Sequence, residues 1–132
     1  MYICIDIGGT AIKVAIADSE GNLFENTSLP VSHEKEKLMD TIINYIEEMK
    51  LSYDVKGVAI SAPGAVDSKS GIIYGTSAIQ CIHGFSWKEE LGQKVNLKVT
   101  IENDANCAAL AETFNGKAKG LKDGLFLVCG TG

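Results

Sequence analysis

Residues 2–18 read YICIDIGGTAIKVAIAD, two runs rich in apolar and β-branched residues on either side of Gly8 and Gly9. Such runs read as strands. A glycine pair between them turns the chain straight back. The chain therefore opens with a hairpin, and a hairpin alone is marginal in water. The remaining residues have to widen the sheet and cover its apolar face. SEGN at residues 19–22 is turn chemistry, and LFENTSLP at 23–30 reads as a third strand. The three strands form an antiparallel meander.

Beyond the meander the period changes. Leu38, Ile42, Tyr45, Ile46 and Met49 fall on one face at helical spacing, predicting an amphipathic helix over residues 33–50 with Ser32 as its cap. VKGVAIS is the next strand, GIIYG at 71–75 a short extended piece, and SWKEELGQKV a short helix. KVTIE is a strand running into a helix DANCAALAETF, closed by Asn115 and Gly116. GLFLVCG reads as a last strand. The predicted order is βββαβαβαβ, an α/β fold with a mixed sheet in a ribonuclease-H-like layout. At 132 residues the length favours one domain.

Charge excludes some functions. All twelve basic residues are lysines and the formal net charge is −5, which argues against a nucleic-acid surface. No signal-peptide pattern or membrane span is visible, so no membrane partner is expected and the expected location is the cytoplasm. Cys4, Cys81, Cys107 and Cys129 form no CxxC pair and have no histidine at metal spacing. They read as free buried thiols.

The chemistry concentrates in three places. In DIGGTAIK, Gly8 and Gly9 let the backbone approach a ligand, and consecutive amides there suit an anion. Thr10 adds a hydroxyl, Lys13 a cation, and Asp6 a carboxylate able to hold Mg²⁺ through water. The loop is neither a Walker A motif nor a Rossmann fingerprint, because a strand comes directly after it. In ENDANCAALAE, Asn103 and Asp104 stand between a strand and a helix. Either side chain can cap the helix, and the helix dipole favours negative charge there. Asp104 is a candidate general base. In SAPGAVD, Pro63 and Gly64 form a turn after a central strand, where ligands of α/β sheets usually sit.

DIGGTAIK, ISAPGAVD, IENDANCAALAE and the terminal CGTG occur in that order along the chain. Together they resemble the ROK family of bacterial repressors, open reading frames and sugar kinases, within the actin-like ATPase and sugar-kinase superfamily. The resemblance implies phosphoryl transfer from ATP to a hydroxyl of a hexose, N-acetylhexosamine or glucoside. It implies that Asp104 takes the proton from the sugar hydroxyl and that Asn103 holds a sugar hydroxyl. Pro63 and Gly64 would lie against the sugar, and Ser77, Ala78 and Ile79 would shape selectivity. Gly8, Gly9, Thr10 and Lys13 would cradle the ATP phosphates from one side and Gly130, Thr131 and Gly132 from the other. Asp6 would meet Mg²⁺ through water.

By the same resemblance, residues 1–120 are an N-terminal lobe, and residues 121–132 begin a second lobe with its phosphate loop. The ExGH sugar motif and a structural Zn²⁺ site belong to the family's C-terminal half, so these residues alone are not expected to phosphorylate sugars. A homodimer or higher homo-oligomer is implied for the full-length protein. The repressor branch carries a winged helix-turn-helix ahead of the first phosphate loop. Met1 lies five residues before Asp6, which points to the kinase branch. The alternative is a non-catalytic sugar-sensing regulator. Residues 76–87 depart from the NLxGW pattern of glucokinase-like members, so the sugar itself stays open.

Overall fold

The structure is a computed structural model and describes residues 1–127. It begins with β1 (Tyr2–Ile7), β2 (Ala11–Ala17) and β3 (Leu23–Pro30), joined antiparallel as the meander predicts. Helix α1 (Lys35–Ser52) crosses to β4 (Gly57–Ala62). A small hairpin of β5 (Ala65–Asp67) and β6 (Ile72–Tyr74) precedes a 3₁₀ turn at Gln80–Ile82. Helix α2 (Trp87–Val95), β7 (Val99–Asn103) and α3 (Asp104–Asn115) come next. The main sheet has the order β3-β2-β1-β4-β7, with β1, β4 and β7 parallel.

Strand alternation divides the sheet into two unlike faces. Ile3, Ile5 and Ile7 of β1 are buried, as are Val58 and Ile60 of β4. They share one core with Leu38, Ile42 and Ile46 of α1 and with Trp87 and Leu91 of α2. Each fully buried side chain of this kind contributes about 1.5–3 kcal/mol relative to exposure. Trp87 is 0% exposed, and its indole Nε1 donates to the Ile82 carbonyl at 3.0 Å. The opposite face carries small and polar residues instead, among them Cys4, Asp6, Ala59 and Ser61.

Four details differ from the sequence expectation. Helix α1 starts at Lys35, not residue 33, because the Ser32 hydroxyl accepts the Glu34 amide at 3.1 Å in a local turn. That bond takes Ser32 out of the cap position, which Glu34 fills. The β5–β6 hairpin replaces a single extended piece. Met39 joins the buried face of α1, while Met49 packs only partly against the core. The apolar run after Gly124 forms no strand over residues 124–127, where Leu125 is 96% exposed. An apolar run becomes a strand only by pairing and burial; among the described residues this one pairs with nothing, and Leu125 and Leu127 stay largely exposed. Residues 128–132, with Cys129, Gly130, Thr131 and Gly132, lie outside the described residues.

Candidate functional site

Parallel pairing aligns the carboxyl ends of three strands. Asp6 of β1 stands opposite Ser61 of β4, and Ser61 opposite Glu102 of β7. The chemistry-bearing residues therefore come to one edge although they are far apart in sequence. A cleft of about 1150 Å³ opens there. Asp6, Gly9, Thr10, Pro63, Gly64, Ser77, Ala78 and Asp104 all line it, as does Gly8.

The first glycine turn is tight. The Gly8 amide donates to the Ala11 carbonyl at 3.1 Å, closing the hairpin. A Cβ on Gly8 would stand 2.9 Å from that same carbonyl oxygen, so glycine is required by close approach of backbone to backbone. This commits the Gly8 amide to the turn and leaves Gly9 and Thr10 at its exposed tip, facing the cleft. Asp6 sits just below. Its Oδ1 accepts from the Ser61 hydroxyl at 2.8 Å.

At the head of α3 the two candidate residues divide the work. Asn103 is the cap: its Oδ1 accepts the amides of Ala105 at 3.0 Å and Asn106 at 3.2 Å. Its Nδ2 donates to the Gly64 carbonyl at 3.1 Å, so the start of α3 is tied to the Pro63–Gly64 turn. Asp104 is the exposed first residue of the helix, and its Oδ1 accepts the Ala105 amide at 2.8 Å. Glu102 is spent on structure. Its Oε1 accepts from the Asn103 amide at 2.7 Å and from Asn106 Nδ2 at 3.0 Å.

Gly64 has φ +102°, a region that L side chains avoid. A Cβ there would also meet Ile73 Cγ2 at 2.9 Å. Across from it, Ser77 Oγ lies 2.8 Å from His83 Nε2.

Three expected residues do not line this cleft. Asn103 is one, because its side chain is turned to the α3 amides and the Gly64 carbonyl. Ile79 is 0% exposed and belongs to the core, because the 3₁₀ turn immediately after it directs it inward. Lys13 is the register partner of Asp6 on β2, and it lines an adjoining groove on the open sheet face together with Asp6, Ser61 and Cys107. Two residues that sequence reasoning passed over do line the cleft, Ser61 and Cys107. Ser61 ends a strand parallel to β1, so alignment of the strand ends was the available signal. The Cys107 thiol is pushed up, first by burial and then by the carboxylates of Glu102, Asp6 and Asp104. That direction favours the thiol over the thiolate near neutral pH. Among the described residues no group of three or more His, Cys, Asp or Glu side chains is placed to hold a metal ion.

The profile of the ROK family matches residues 2–132. A beta-glucoside kinase of Listeria monocytogenes is 40% identical over 128 residues, covering 96% of this chain and 42% of that protein. Among solved structures, a provisionally named N-acetylmannosamine kinase of Listeria monocytogenes superposes with a TM-score of 0.83 at 37% identity, over 92% of this chain and 41% of that one. A ROK family glucokinase from Streptomyces griseus, in complex with glucose and AMPPNP, gives a TM-score of 0.80 at 32% identity, over 90% of this chain and 38% of that one. The chain spans about two-fifths of the length of these relatives.

Proposed function

We propose, since the chain belongs to the ROK family, that it is the N-terminal lobe of an ATP-dependent sugar kinase. The sugar would lie in the cleft between the Pro63–Gly64 turn, the Ser77–Ala78 segment and the head of α3. Residues 1–120 form this lobe, and residues 121–132 begin the second, with Gly130, Thr131 and Gly132 as the opposing phosphate loop. The observation that carries the reading is the cleft shared by Asp104 and the Gly9–Thr10 tip. The beta-glucoside kinase and the glucokinase match along nearly the whole chain, which supports it.

Asp104 accepts the proton of the attacking sugar hydroxyl, an assistance worth roughly 10²–10⁴ in rate. Asn103 holds Gly64 and the helix head in register, and the second N–H of its Nδ2, which the Gly64 carbonyl does not use, would serve a sugar hydroxyl. The exposed amides of Gly9 and Thr10 face the phosphates, and Lys13 adds charge from beside the turn. The residues present fit ATP with Mg²⁺: the Gly8–Thr10 turn has no side-chain bulk at its base, and Asp6 offers one carboxylate beside it, enough for a water-mediated ion. Bound Mg²⁺ would spread the charge of the phosphates during transfer.

The test is a coupled ADP-release assay on the full-length kinase with glucose, fructose, N-acetylglucosamine, N-acetylmannosamine and a β-glucoside. One of these stimulates ATP use, and Asp104→Asn abolishes the stimulation. Sugar-dependent turnover that survives Asp104→Asn overturns the base assignment. Residues 1–132 alone give no sugar-dependent turnover.

A further inference from the structure

His83 takes no part in the proposed proton and phosphoryl transfer, yet it stands directly behind the cleft wall. Its Nε2 lies 2.8 Å from Ser77 Oγ, and Ser77 faces the cleft. Its Cε1 would be 3.3 Å from a Cβ placed on Gly64, so the ring backs the Gly64 turn as well. Gly64 is held from the other side by Asn103 Nδ2. One imidazole thus braces two pieces of the wall that belong to different loops. Its Nδ1 is buried and finds no partner among the described residues, so the bond to Ser77 is the ring's one side-chain hydrogen bond there. A buried polar atom left unpaired is costly. The ring holds this position despite that cost.

The Ser77 hydroxyl has several local options. It lies 3.3 Å from the Ile79 carbonyl and 3.3 Å from the Ile79 amide, both long, and 2.8 Å from the imidazole. The short bond to His83 decides where its oxygen and proton point. We infer that His83 is a positioning residue for sugar recognition: it fixes the Ser77 hydroxyl and the Gly64 turn so that Ser77 bonds a sugar hydroxyl in the cleft. The inference rests on the sugar-kinase reading and deepens it by assigning a selectivity element. A site built to bond a substrate hydroxyl discriminates strongly against analogues that lack it.

The experiment uses the full-length kinase with its best sugar from the five-sugar panel, and measures kcat, sugar KM and ATP KM. His83→Phe keeps the ring against Gly64 and removes the bond to Ser77. It raises sugar KM roughly tenfold, the worth of one well-placed hydrogen bond, with ATP KM within about twofold. His83→Gln restores a polar group near the Nε2 position and recovers most of that loss. Ser77→Ala raises sugar KM to a similar extent, and the double variant His83→Phe with Ser77→Ala is no worse than Ser77→Ala, because the pair acts as a unit. An unchanged sugar KM in either single variant overturns the inference. So does a fall in kcat with both KM values unchanged, which is the mark of a purely structural role, and so do losses that multiply in the double variant. If His83→Phe fails to fold, His83→Leu, which also removes the bond to Ser77, takes its place on the same criteria. Sugar-dependent turnover in Asp104→Asn sinks the base assignment whatever His83 does. A dead Asp104→Asn beside a normal His83→Phe sinks this inference alone.

Discussion

The Asn103 side chain donates to the Gly64 carbonyl at 3.1 Å while its oxygen caps α3. One residue therefore sets the distance between the turn expected to face the sugar and the helix that carries Asp104.

Replacement of Asn103 separates its two duties. Asn103→Ala loses both, and costs about 1–2 kcal/mol in urea unfolding. Asn103→Asp keeps a capping oxygen and loses the donor to Gly64. Its stability stays within about 0.5 kcal/mol of wild type, while sugar KM rises as much as in Asn103→Ala. Equal stability losses in the two variants would mean that the tie to Gly64, not the cap, holds the helix head.

Gly64→Ala suffers twice, from φ +102° and from the 2.9 Å approach to Ile73 Cγ2. The expected cost is about 1–3 kcal/mol, read as a lower urea midpoint with an unchanged slope. A neutral substitution there would show that the turn has another conformation open to it.

Asp6→Asn keeps an acceptor for the Ser61 hydroxyl and removes the charge. The sheet is expected to keep its thermal midpoint to within a few degrees, while half-maximal activation of the full-length kinase shifts to higher Mg²⁺ concentration. Titration of Mg²⁺ at fixed ATP checks this. An unchanged activation curve would remove Asp6 from the metal's surroundings.

Cys107 gives a pH-dependent signal from inside the cleft. Burial and the neighbouring carboxylates raise its pKa, so the thiolate fraction at neutral pH falls below that of an exposed thiol. Alkylation by iodoacetamide is slow at pH 7 and accelerates only as the pH passes above the ordinary thiol value. Sugar bound in the cleft slows it further. Peptide mapping by mass spectrometry tracks Cys107 separately from Cys4 and Cys81. Fast labelling at pH 7 would contradict the protonated thiol.

Much of this arrangement was legible in the sequence because it rests on local signals. The Gly8–Gly9 turn, the alternation in β1 and β2 and the cap-like Asn103–Asp104 pair can each be read from a few adjacent residues. The features that escaped depend on long-range pairing. Ser61 reaches the cleft only because β1 and β4 run parallel in one register. Ile79 looks available in an irregular segment, and its burial becomes visible only once Trp87 and Ile82 pack beneath the same loop. β5 and β6 have three residues each, too few for any period to show. The run at 124–127 has strand composition but pairs with no neighbour among the described residues, and composition carries no information about neighbours.

No side chain of α3 is fully buried, and the helix is secured at its first turn by Asn103. The Gly64 bend links residues 76–83 to that first turn, since His83 backs it and Asn103 holds it. On the proposed reading, substrate choice and proton transfer would be separable modules with one shared joint. Substitutions along residues 76–83 that spare Gly64 would then change which sugar is held without moving Asp104.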